Sequence, residues 1–260
     1  MTQLFENERI DKVNDDLSLI QKKGGLLFGT DALLLAGYVA GKYDFGIEFG
    51  GGSGIISMLL ISREKLALCD TVEAQEEYAR LIERNAELNK LEEKLRAKFC
   101  DVRAYTPEKD ADIIFTNPPY MKATSGKSCE KDAKNIARHE IFGDIRDFLC
   151  AAKRMLKYGG AFYAVYRPDR LVDLISAMRE ADIEPKRATF VHASQSSEAS
   201  MVLIEGRRGG KPDMKLTRPL FIYSDTSHKT YSNDMNYIME HGSFPDDFNK
   251  AYVKRKNKIE

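Results

Sequence analysis

Between residues 44 and 206 the chain alternates short apolar runs with amphipathic stretches, and few folds accept that rhythm. The runs "DFGIEF", "KLALCDTV", "LRAKFC", "ADIIF", "AFYAVY", "RATFVH" and "SMVLIEG" predict seven strands. Between them, "GIISMLLIS", "EEYARLIERNAELNK", "IRDFLCAAKRMLK" and "PDRLVDLISAMREA" read as helices. The run "ADIIF" is apolar throughout, as suits a central parallel strand covered on both faces. Such alternation predicts an α/β fold with an open, doubly wound sheet.

Two flanks stand outside that rhythm, dividing the chain into residues 1–43, 44–206 and 207–260. In the first, "LSLIQKKGGLLF" predicts a small hairpin turning at Gly24–Gly25. The phrase "GTDALLLAGYVA" then predicts a helix capped by Thr30 or Asp31. Beyond Gly206 the periodicity decays into "PLFIYSDTSHKTYSNDMNYIMEHG" and a charged tail. Apolar residues make up 43% and charged residues 31%, the balance of a globular protein. No run approaches the ~18 apolar residues of a membrane span. The N-terminus is polar and acidic, unlike a secretory leader. Cys69, Cys100, Cys129 and Cys150 form no CxxC pair, so reduced thiols, a cytoplasmic setting and no metal site are expected. Lys plus Arg and Asp plus Glu balance at 40 each, so net charge names no polyanionic partner. Basic residues do cluster in "RRGGKPDMKLTR" (207–218) and "KRKNK" (254–258). Solvated surface and a nucleic-acid footing both explain such clusters.

The turn after the first predicted strand reads "EFGGGSG", Glu48 to Gly54. A dinucleotide fingerprint would need a third glycine where Ile55 stands. The spacing is instead acid-x-G-x-G-x-G, with Gly50, Gly52 and Gly54 as its glycines. Further acids follow at strand ends, Glu73 after the second and Asp101 after the third, with Val102 beside it. Carboxylates at those ends suit a ribose and an adenine amine, at the edge where open α/β sheets bind ligands.

The fourth strand leaves through "TNPPY" (116–120), where two prolines remove donors and stiffen the exit. Fixed backbone there can aim the Asn117 side-chain oxygen and the Pro118 carbonyl at one NH2 group. Tyr120 can stack beneath a planar substrate.

These two motifs resemble motif I and motif IV of class I S-adenosylmethionine-dependent amino methyltransferases. The flanking phrases "LSLIQKKGGLLFGTDALLLAGYV", "IARHEIFGDIRDFLCAAKRMLKYGG" and "FVHASQSSEASMVLIEGRRGGKP" resemble the tRNA1(Val) (adenine-N6)-methyltransferase family over about residues 17–239. The resemblance implies a seven-stranded, Rossmann-like sheet with an antiparallel last strand and a small N-terminal hairpin and helix. It implies S-adenosylmethionine as cofactor, held by Thr30, Asp31, Glu48, Gly50, Gly52, Gly54, Glu73, Asp101, Val102 and Asn117. It implies Asn117, Pro118 and Tyr120 as the catalytic group, acting on an adenine beside a tRNA anticodon. Phosphate contacts are then expected from Lys122, Lys127, Lys131, Arg138, Arg207, Arg208 and Lys211. Departures from the family pattern are Glu48, one methylene longer than the usual aspartate, and Gly51, expected to loosen the turn. A glutamine-N5 protein methyltransferase, an rRNA guanine-N2 methyltransferase and a non-catalytic RNA-binding protein share parts of these features.

Overall fold

The computed structural model describes residues 4–23, 28–118 and 143–249. Strands β1 (Glu8–Lys12) and β2 (Ser18–Lys22) form an antiparallel hairpin. Its turn lies at residues 13–17, where Asn14 Oδ1 accepts from the backbone of Asp16 and Leu17. The strand within "LSLIQ" thus pairs with the strand before it; Gly24–Gly25, where the sequence predicts a turn, lie outside the described residues. Helix α1 (Thr30–Tyr38) follows, with Gly29 and not Thr30 or Asp31 at its N-cap. A Cβ at Gly29 would stand 2.5 Å from Asp31 Oδ1, so a side chain at that cap would displace the Asp31 carboxylate.

The main sheet runs β3 (Tyr43–Phe49), β4 (Leu66–Glu73), β5 (Leu95–Phe99), β6 (Ala111–Thr116), β7 (Leu156–Tyr166), β8 (Ile183–His192) and β9 (Ala199–Arg208). Helices α2 (Ile55–Ser62), α3 (Glu76–Leu88), α4 (Ile145–Met155) and α5 (Leu171–Glu180) connect them. Spatial order is β8-β9-β7-β6-β3-β4-β5, with β9 antiparallel to both neighbours and the rest parallel. This is the doubly wound sheet expected, with its order reversing at β3. Alternation along β3 and β6 sends Phe45, Ile47, Phe49 and Ile114 to one apolar layer and Ile113 and Phe115 to the other.

Two short strands, β10 (Lys215–Leu216) and β11 (Leu220–Phe221), extend the sheet beside β8, giving nine strands where seven were expected. The chain after Arg208 therefore folds back instead of trailing away. Helix α6 (Asn233–His241) is capped by Ser232, whose Oγ accepts from Met235 N–H. Ile238, Phe244 and Phe248 are buried in the layer that holds α1, and Phe244 meets the Tyr38 ring edge-on at 5.3 Å. At the C-terminal end of α1, Lys65 Nζ donates to the carbonyls of Ala36, Gly37 and Val39 at 3.1, 3.2 and 2.7 Å. Burial lowers the Lys65 amine to about 7, and in either protonation state its N–H groups pair carbonyls that the helix end leaves free.

Two asparagines on α3 fasten the hairpin. Asn85, fully buried, accepts from Ile20 N–H at 2.7 Å and donates to Ile20 C=O and to Ser53 C=O in the glycine turn. Asn89, one turn on, makes the equivalent pair with Ser18. Hairpin, α3 and glycine turn thus share one hydrogen-bonding joint. Asn85→Ala leaves two buried backbone groups of Ile20 and the half-buried Ser53 carbonyl without this partner, and should lower the unfolding free energy by roughly 2–4 kcal/mol. Urea denaturation measures this; a loss under about 0.5 kcal/mol would contradict the role given to Asn85.

Candidate active site

The turn Gly50–Gly54 lies at the carboxyl end of β3, the central switch-point strand. Gly50, Gly52 and Gly54 have φ of 70°, 57° and 80°. At Gly50 and Gly52 a Cβ would project into open space, so the turn presents bare backbone on one side. Its other side is closed: a Cβ on Gly51 would lie 2.1 Å from Thr71 Cγ2. Gly51 therefore tightens the turn against β4 rather than loosening it.

Glu73, buried at the end of β4, accepts from Gly52 N–H at 3.0 Å and from Gln75 N–H at 2.9 Å. Each carboxylate oxygen retains a lone pair for a further donor. Glu48 sits beneath the turn, 1% exposed, and accepts from the N–H and Oγ of Ser57 in the first turn of α2. Ser57 Oγ also lies 2.9 Å from Thr71 Oγ1. Glu48 thus meets the start of a helix and not the open face of the turn, which sets it apart from the expected cofactor contacts.

Asp101 and Val102 follow β5. Arg103 clasps the Asp101 carboxylate through Nε, Nη2 and its backbone N–H, holding that carboxyl below the usual range. Val102 is buried in the same apolar layer as Phe45 and Tyr105.

At the end of β6 stands Asn117, one strand from the glycine turn. Its Nδ2 donates to Asp31 Oδ2 at 2.8 Å. The other end of the amide, Oδ1, is shut off from solvent and meets no donor among the described residues. Buried acceptors are normally paired, so a bare one marks a place for a ligand's donor. Pro118 follows, buried. Sequence reasoning placed Asp31 in the site without its partner: the carboxylate fixes which end of the Asn117 amide is left free. Thr30 opens α1 one residue before Asp31.

Tyr120, Lys122, Lys127, Lys131 and Arg138 lie outside the described residues. Arg207 and Arg208 lie elsewhere. Arg207 pairs in register with Ala161, which pairs with Ile113, roughly 13 Å down the strands from Asn117. Arg207 bonds Glu205, Arg208 bonds the Leu156 carbonyl, and Lys211 follows them beyond the end of β9. These three do not join the site: β9 runs antiparallel, so its far end reaches the opposite edge of the sheet.

The family model for the methyltransferase small domain matches residues 25–180. A tRNA1(Val) (adenine(37)-N6)-methyltransferase of Aeromonas hydrophila is 30% identical over 186 residues, 70% of this chain and 76% of that protein. The chain belongs to the methyltransferase small domain family, among the tRNA1(Val) adenine-N6-methyltransferases. A relative of the same name from Phocaeicola vulgatus is 26% identical over 178 residues, 68% of this chain and 74% of its own length. Among solved structures, a predicted O-methyltransferase of Agrobacterium tumefaciens superposes with a TM-score of 0.67 at 19% identity, over 83% of this chain and 98% of its own. TYW2 of Pyrococcus horikoshii in complex with MeSAdo superposes with a TM-score of 0.55 at 14% identity, over 79% of this chain and 73% of its own. These two likenesses carry the fold, which is that of the methyltransferase sheet described above.

Burial pushes the Glu48 carboxyl of this methyltransferase up to about 8 from its ordinary 4.5; the Ser57 hydrogen bonds oppose that shift and the Glu73 charge adds to it. With the folded pKa raised, the stability Glu48 contributes is full below about pH 4.5 and lost as pH rises through about 8. Glu48→Gln is neutral at every pH. It should melt above the parent at about pH 8, with the difference shrinking towards about pH 5. Thermal unfolding of both proteins across that window checks it; parallel curves would contradict the raised pKa.

Proposed function

We propose that the protein transfers a methyl group from S-adenosylmethionine to N6 of an adenine in the anticodon stem-loop of tRNA. The observation that carries this reading is the buried Oδ1 of Asn117, which has no donor among the described residues, beside a glycine turn with open backbone. The residues present suit the donor: Gly50 and Gly52 allow an adenosine to press against backbone, and the Glu73 carboxylate suits ribose hydroxyls. Asp101 remains a proposed acceptor for the adenine amine of the cofactor, in competition with Arg103. Bound there, S-adenosylmethionine supplies an electrophilic methyl group on a sulfonium.

The exocyclic amine of adenine is a poor nucleophile, because its lone pair is delocalised into the ring. Asn117 Oδ1 and the Pro118 carbonyl are acceptors for its two hydrogens, and both favour the pyramidal form in which the lone pair is free. Preorganised acceptors of this kind are worth on the order of several kcal/mol. No strong base is required beforehand, since the nitrogen becomes acidic only as the methyl group arrives; the proton then leaves from a cationic N6. Tyr120 is assigned to stacking on the target base, and Lys122, Lys127, Lys131 and Arg138 to phosphates. An adenine taken out of a stacked loop costs a few kcal/mol, and an unpaired one less.

Asn117→Ala should lower methyl transfer by at least about 10²-fold while cofactor affinity changes little. Label transfer to tRNA, read as N6-methyladenosine by nucleoside mass spectrometry, measures this. Unchanged transfer would overturn the assignment, and label on a protein glutamine would favour an amide substrate instead. Asp31→Ala should also lower kcat, by roughly 10-fold or more, because the Asn117 amide loses the acceptor that fixes its orientation. A change confined to cofactor affinity would place Asp31 with the cofactor alone.

A further inference from the structure

The segment 223–231 comes to the same sheet edge as Asn117. Strand β11 pairs with the end of β8, and Tyr223 N–H then donates to Ala193 C=O at 2.8 Å. From there the chain makes a closed loop, with Tyr223 facing Tyr231 in an antiparallel bridge. Asp225 accepts from Thr230 N–H at 2.8 Å and from Ser227 Oγ, and Ser224 N–H donates to Thr230 C=O at 2.9 Å. These bonds stack three rings. Tyr223 lies 4.9 Å from His228 at 20° and 5.3 Å from Tyr231 at 13°. Tyr231 keeps 39% of its surface and His228 is exposed, so the stack ends in open ring surface. Lys229, also exposed, stands between them in sequence.

Between this stack and Asn117 lies a cavity of about 440 Å³ at the carboxyl end of β7, walled by Arg167, Pro168 and Asp169 on one side and Glu198, Ala199 and Ser200 on the other. Strand order puts the three features in a row along one edge: Asn117 after β6, the cavity over β7 and β9, the rings beyond β8. At roughly 4.8 Å per strand, four steps make about 19 Å from end to end. A planar aromatic stack with a lysine beside it, on the sheet edge that also carries the cavity and Asn117, matches unpaired bases on a phosphate chain.

We infer that the rings of His228, Tyr223 and Tyr231 are a stacking platform for unpaired nucleotides flanking the target adenine, with the β7–β9 cavity on the path between. The inference rests on the RNA reading above and adds to it the surface by which the RNA is held.

Steady-state methylation of a synthetic tRNA1(Val) anticodon stem-loop tests it. The double substitution His228→Ala with Tyr231→Ala should raise KM for the RNA about tenfold, about 1.4 kcal/mol. It should leave kcat and cofactor affinity within about twofold. Tyr231→Phe, which keeps the ring, should behave as the parent. An unchanged KM in the double variant overturns the inference while leaving the proposed function standing; a parent inactive on RNA overturns both. If the double variant melts early, photo-crosslinking of a 4-thiouridine stem-loop to the parent protein decides. Label within residues 223–231 supports the platform, and label confined to other segments overturns it.

Discussion

A single hydrogen bond, from Asn117 Nδ2 to Asp31 Oδ2, determines what the end of β6 can offer a ligand. A carboxamide has a donor end and an acceptor end, and only the end left unpaired is available. Asp31, as an acceptor, takes the NH2 and leaves the oxygen. The position of Asp31 in turn depends on α1, and α1 is held along its whole length. Gly29 admits the carboxylate at one end, Lys65 bonds three carbonyls at the other, and Phe244 packs against Tyr38 near that end. Segments before and after the sheet in sequence thus converge on the orientation of one side-chain amide.

The glycine turn is set by a comparable division of labour. One face is open because Gly50 and Gly52 carry no side chain and a Cβ there would meet open space. The opposite face is closed on Thr71 and tied to Glu73 through Gly52 N–H. Asn85 then joins the turn to the hairpin through Ser53 C=O. A backbone fixed in this way gives up little further entropy when a ligand settles on it, which favours tight binding without added contacts.

Much of this was legible from the residues. The seven main strands and their helices followed from periodicity, because each buries an apolar face whose spacing is set by the element itself. The turn glycines and Glu73 were legible because their chemistry is local to a strand end. Long-range pairings were not. Nothing local marks Asp31 as the partner of Asn117, 86 residues away, or β1 as a partner of β2. Glu48 was read as a ligand contact, although a carboxyl one residue before a turn faces the interior when its strand neighbours, Ile47 and Phe49, pack on the opposite layer. One available signal went unused. Asn85 and Asn89 stand one helical turn apart beside apolar Ile82 and Ala86, and polar amides on a buried helix face usually bind backbone. Beyond Gly206 no strands are legible in the sequence, because those that form there are two residues long, too short for any period to register.

The most direct test of the account is a crystal structure of the protein with the anticodon stem-loop and a non-transferable cofactor analogue. N6 of the target adenine should lie within about 3 Å of Asn117 Oδ1, with Nδ2 still on Asp31. An inverted amide, or an adenine amine held by other groups with Oδ1 still bare, would contradict it.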